Sequence, residues 1–105
     1  LLLTVFSVFH SQAQAQTKRV DKRAERLAKQ GDGFFNKKDY RNAIDKYAEA
    51  ISLAPNYAYA HFWKGCAHYF LKEYDEALFE LDTAYNQGYT PLEVYKIRWF
   101  VNLQK

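Results

Sequence analysis

The sequence is poor in cysteine, proline and glycine, with one, two and four residues in 105, and it has no methionine. One cysteine excludes an intramolecular disulfide and any zinc site built from several thiolates. So few prolines and glycines exclude a collagen-like or loop-dominated chain. Without methionine the initiating residue is missing, so the chain is expected to be a piece of a longer protein. Charge of one sign is scarce too: 15 Lys+Arg stand against 12 Asp+Glu, a net +3 with a pI near 9.0. The surplus sits in the N-terminal half, too small a basic patch to imply nucleic acid, and none is expected as a partner. What is abundant is apolar material, 49% of the chain, with 18% aromatic residues. That is enough for one core and rules out a disordered chain, while the length rules out two.

The apolar run from Leu1 to Phe9 is the longest uncharged stretch of its kind. As a helix it would rise about 14 Å, too short for a bilayer core of roughly 30 Å. It leads into Ala13-Gln14-Ala15, a small-x-small triplet like that before a secretory cleavage site. Residues 1–15 are therefore read as a signal peptide cleaved after Ala15, its charged leading part absent. This places the mature chain in the periplasm or outside the cell. A buried N-terminal helix and an uncleaved anchor lengthened upstream are the two lesser readings.

Shifting the sequence by 34 residues superposes Gly31 on Gly65, Phe35 on Tyr69, Asp39 on Glu73 and Tyr40 on Tyr74. Ala43 then meets Ala77, Ile44 meets Leu78 and Ala50 meets Ala84, while His61 and Lys64 fall on Tyr95 and Arg98. Within each unit small residues recur where two helices would touch, and aromatics recur where a gap would need filling. Gly31, Phe34, Tyr40, Ala43, Tyr47, Ala50 and Pro55 form one set; Gly65, Tyr74, Ala77, Leu81 and Ala84 form the next. This pattern resembles the tetratricopeptide repeat (TPR), a 34-residue helix–turn–helix unit. The resemblance implies an all-α fold, an α-solenoid of two repeats and a final single helix. Residues 24–57 are repeat one and 58–91 repeat two, preceded by a helical extension over 16–23. Residues 92–105 are either a capping helix, with Trp99 filling the last layer, or the start of a third repeat.

The periodicity predicts helices over about 18–37, 40–53, 57–71, 74–87 and 91–104. Asp39 is placed to cap the second of them. Thr90-Pro91-Leu92-Glu93 reads as a capping box, and Gly88 as the left-handed residue ending the helix before it. Gly33 lies inside a helix, where alanine would be favoured by about 1 kcal/mol.

No catalytic constellation, cofactor motif or metal site is legible. His61 and His68 share a helix with Cys66 but stand seven residues apart, two turns, too far to ligate one ion. They read as packed structural histidines, and Cys66 as a small buried hydrophobe. The function implied by the resemblance is a non-catalytic scaffold that takes up a peptide or partner protein. In such repeats the first helices line a concave groove. Carried over, the groove positions are Glu25, Ala28, Asp32, Phe35 and Asn36, then Tyr59, Phe62, Trp63, Cys66, Tyr69 and Phe70, then Lys96 and Phe100. Of these Phe35, Asn36, Tyr59, Phe62, Trp63, Tyr69, Phe70, Lys96 and Phe100 are the expected partner-binding set, with inter-repeat packing as their competing role. TPR domains that hold acidic chaperone tails use Lys, Asn and Arg at positions filled here by Ala28, Asp32, Trp63, Glu93 and Ile97. The expectation is therefore that no acidic chaperone tail binds. The alternative function is a structural or oligomerising arm of a larger envelope protein or enzyme whose activity lies beyond Lys105. In that reading the basic stretch Lys18–Lys29 would touch a membrane surface, although a solvated helix face suits it better.

Overall fold

A computed structural model describes residues 20–89 and 92–104. The expected signal segment and its cleavage site after Ala15 lie outside the described residues, as do Thr90 and Pro91 of the expected capping box. Among the described residues five helices follow one another: α1 (Lys22–Asn36), α2 (Tyr40–Leu53), α3 (Ala58–Phe70), α4 (Tyr74–Asn86) and α5 (Leu92–Gln104). Among the described residues there are no strands, and no helix is long and apolar enough to cross a membrane. The fold is an α-solenoid in which α1 packs on α2 and α3 on α4 most extensively, with α2 on α3 joining the repeats.

The expected helical extension over 16–23 does not hold at its described end, where Val20 and Asp21 are outside the helix. Asp21 is the reason. Its Oδ1 accepts the Arg23 backbone N–H at 2.8 Å and so sets the first turn. Asp39 does the same for α2, accepting from the Asn42 N–H at 3.4 Å and from its side-chain amide at 2.8 Å. The first helix of each repeat ends on a left-handed residue, Lys38 at φ 62° and Lys72 at φ 63°, one repeat apart. Paired carbonyl contacts close both ends: Asp39 N–H to Phe34 and Lys38 N–H to Phe35, then Glu73 N–H to His68 and Lys72 N–H to Tyr69. Gly88, at φ +93°, ends α4 in the same way, as expected.

The repeat-packing set forms the core. Ala43, Tyr47, Ala50, Ala77, Leu81 and Ala84 are fully buried, with Phe34 and Tyr74 packed against them. Gly31 and Gly65 let the paired helices close in. A Cβ on Gly31 would lie 2.7 Å from the Tyr47 ring, and one on Gly65 3.0 Å from Leu81 Cγ. Pro55 is exposed, and its carbonyl joins the repeats by accepting from His61 and Gln87. At the far end Val94 and Val101 of α5 complete the second core, whereas Trp99 is 60% exposed. Trp99 thus does not fill a final layer, because the valines present the buried face of α5 and the indole points away from it.

Candidate peptide-binding groove

Helices α1, α3 and α5 surround a pocket of about 450 Å³ lined by Phe35, Phe62, Trp63, Cys66, Phe70, Tyr89, Glu93 and Ile97. Its wall is a chain of rings, meeting edge to face except for the tilted Phe62–Tyr89 pair. Phe35 stands 5.2 Å from Trp63 and 5.8 Å from Phe70, and Phe62 stands 5.1 Å from Trp63 and 4.9 Å from Tyr89. Tyr40 backs the wall, stacked on Phe70 at 5.1 Å. Such pairs arise because helices one repeat apart present the same positions side by side: Phe35 of α1 and Tyr69-Phe70 of α3 are 34–35 residues apart. Among the described residues Glu93 is the single charged one in the lining. The indole N–H of Trp63 is buried with no acceptor among the described residues, which leaves about 1–3 kcal/mol of desolvation uncompensated. The volume suits one or two side chains of a guest, and the surface is apolar with little polar definition.

Of the expected partner-binding residues the pocket gathers Phe35, Phe62, Trp63 and Phe70. Phe62 is also a core residue, only 3% exposed, so it shapes the pocket floor. Tyr59 lies to one side, its hydroxyl donating to Asp32 Oδ2 at 2.7 Å. Tyr69 packs between Phe70 and Tyr74, and Asn36, Lys96 and Phe100 are exposed away from the pocket lining. Cys66, Tyr89, Glu93 and Ile97 were outside the expected partner-binding set. Tyr89 sits where a repeat ends with proline, and the repeat pattern assigns that place to a turn. Ile97 is visible in sequence as an apolar residue at a position where charge is used elsewhere.

Charges near the groove are mostly engaged within the protein. Asp32 accepts from Tyr47 at 2.5 Å as well as from Tyr59, tying α1 to both α2 and α3. Burial, then these bonds to Asp32, push both phenols well above their ordinary range, so they stay protonated and keep donating. His61 faces two acceptors, Glu80 Oε2 at 2.6 Å from Nδ1 and the Pro55 carbonyl at 2.9 Å from Nε2. Both ring nitrogens must donate, so the ring is an imidazolium. Burial opposes that charge, but the bonds to Glu80 and Pro55 outweigh it and hold the ring's pKa above its usual value. Burial likewise opposes ionised Glu80, yet His61 and Lys64, the latter at 2.9 Å, lower its pKa. His68 instead holds Glu73 Oε1 at 2.8 Å, so the two histidines serve different carboxylates. Burial pushes the Cys66 thiol up to about 12, which makes it a packed hydrophobe and a poor nucleophile.

Residues 31–72 match the family model described as TPR repeat. The small glutamine-rich tetratricopeptide repeat-containing protein 2 of Saccharomyces cerevisiae is 40% identical over 76 residues, 67% of this chain and 22% of that protein. The chain thus spans about a fifth of the length of that curated relative. Among solved structures, the first TPR of Spaghetti (RPAP3) bound to the HSP90 peptide SRMEEVD superposes with a TM-score of 0.75. It is 20% identical, covering 79% of this chain and 66% of that one. The TPR2B-domain:pHsp70 complex of yeast Sti1 also gives 0.75, at 23% identity, covering 97% of this chain and 89% of that one.

These complexes overturn the expectation that no acidic chaperone tail binds. Solved domains of the same fold hold chaperone peptides, and one of the clamp positions counted against such binding carries the Asp32 carboxylate. That carboxylate is not free, since two tyrosine hydroxyls occupy it. Glu93 alone is left as an acid at the pocket wall. Residues 31–72 thus match the tetratricopeptide repeat, and the chain folds as an α-solenoid like those of TPR domains.

Proposed function

We propose that the chain is a non-catalytic protein-interaction module that takes a peptide segment of a partner protein into the groove between α1, α3 and α5. Chaperone C-terminal tails are the first peptides to test. The observation that supports this reading most is the aromatic pocket itself, an apolar concavity open between α1, α3 and α5. Rings that already pack edge to face are rigid, so a guest side chain loses little freedom of theirs on entry. Asp32 ties α1 to α2 through Tyr47 and to α3 through Tyr59, which fixes two of the groove's helices before a guest arrives.

Fluorescence anisotropy with a labelled SRMEEVD peptide and a scrambled version tests the reading. The native order should bind more tightly, and Phe70→Ala, at a residue 53% exposed, should weaken it about tenfold or more. Equal affinity for both peptides, unchanged by Phe70→Ala and Ile97→Ala, would refute the groove.

A further inference from the structure

The outward face of α5 carries Leu92, Tyr95, Trp99 and Leu103 at helical spacing, between 47% and 64% exposed, with Phe100 beside them at 48%. Val94 and Val101, on the opposite side, are fully buried. Trp99 stands two repeat periods after Gly31 and one after Gly65. At those glycines the following helix comes so close that even a Cβ would meet a ring or a branch point at 2.7 and 3.0 Å. An indole cannot enter such a seam. A helix packed on α5 as α2 packs on α1 is therefore not what covers this face.

We propose that a second copy of this chain covers it, with α5 of one protomer antiparallel to α5 of its partner about a two-fold axis. The stripe is palindromic about a point between residues 97 and 98. Leu92 and Leu103 are equidistant from that point, as are Tyr95 and Phe100, and Lys96 and Trp99. An antiparallel pair thus sets leucine on leucine, while Tyr95 and Phe100, about 140° apart around the helix, flank the contact on either side. It also sets the Lys96 ammonium against the Trp99 indole, a cation–π pairing that meets itself under the two-fold. Three rings of about 150–250 Å² each, roughly half exposed, with two leucines, offer on the order of 500 Å² per chain. A pair then buries at most about 1,000 Å², the lower limit of a specific interface. Exposed apolar stripes of this size on one helix mark contact surfaces.

Sedimentation equilibrium on the chain tests this. The mass should rise towards two chains by about 100 µM, and Trp99→Glu should weaken the association at least about tenfold while the helical circular dichroism stays unchanged. A chain carrying both Leu92→Cys and Leu103→Cys should oxidise to a covalent dimer much faster than one carrying Leu92→Cys alone, since only the double variant aligns thiols across the axis. A chain that remains monomeric at that concentration, or a dimer indifferent to Trp99→Glu, would overturn the proposal.

Discussion

The two repeats bury the same alanines at the same positions yet solve their seams with different chemistry. In the first, Gly31 faces Tyr47, a fully buried ring whose hydroxyl goes to Asp32. In the second, Gly65 faces Leu81, which has no polar atom to satisfy, and the charge moves to a buried cluster of His61, Glu80 and Lys64. The start of the second helix differs as well. Asp39 caps α2, but Glu73, one methylene longer, leaves the cap empty and reaches Arg41 at 2.9 Å and His68 at 2.8 Å. The glycine sets how close the helices come, while the residue opposite is free to vary if its polar atoms find partners in the same layer.

The largest test of that contrast compares the two seam residues. Leu81→Ala should cost about 2–5 kcal/mol in urea denaturation, because it empties a site with no room to collapse. Tyr47→Phe keeps the volume and removes one bond to a carboxylate that Tyr59 still holds, so about 1–2 kcal/mol is expected. Equal losses would mean that the hydroxyl, rather than packing, governs the first seam. Next in size is a pair within α1. Gly31→Ala should destabilise by a net roughly 1–2 kcal/mol, overpacking against Tyr47 exceeding the gain in helix propensity. Gly33→Ala, where nothing lies within 4 Å, should instead stabilise by up to about 1 kcal/mol. The same sign for both would break the seam argument.

The smallest effect is on pH dependence. His61 has a raised pKa, so its contribution is complete below the ordinary imidazole value of 6.5 and is lost as pH rises through the folded one. Glu80 has a lowered pKa, so its share is complete above 4.5 and is lost as pH falls through the folded value. Stability from the pair should therefore be greatest between about 4.5 and 6.5 and decline on either side. His61→Gln should flatten the alkaline decline in melting temperature, whereas Tyr47→Phe, in the other repeat, should leave that slope unchanged. An equal slope in all three proteins would detach the pH response from the second repeat.

Much of the fold was legible because a repeat is a local pattern. Gly31, Ala43 and Ala50, with their partners 34 residues on, announce close helix pairs through side-chain size alone, and Gly88 announces its turn through its freedom at positive φ. The left-handed Lys38 and Lys72 were hidden, since lysine is not a turn signal, although each directly precedes an acid at the next helix's N-cap. Half of the candidate site could be read as well. Phe35, Phe62, Trp63 and Phe70 follow from the repeat, but Tyr89 and Ile97 join them only because α5 turns back over α3.

The sequence by itself determined the architecture: the 34-residue period, the helix pairing and the alanine and glycine seams, all set by size and spacing along the chain. Only the tertiary structure decided what the polar and aromatic residues do. Asp32 and Tyr59, 27 residues apart, and His61 and Glu80, 19 apart, meet through helix register. Trp99 is left exposed because two valines on the same helix take the buried side. Periodicity specifies which face of a helix is apolar. Which neighbour that face meets, and whether a carboxylate near the groove is already occupied, depends on distances between helices that no single segment encodes.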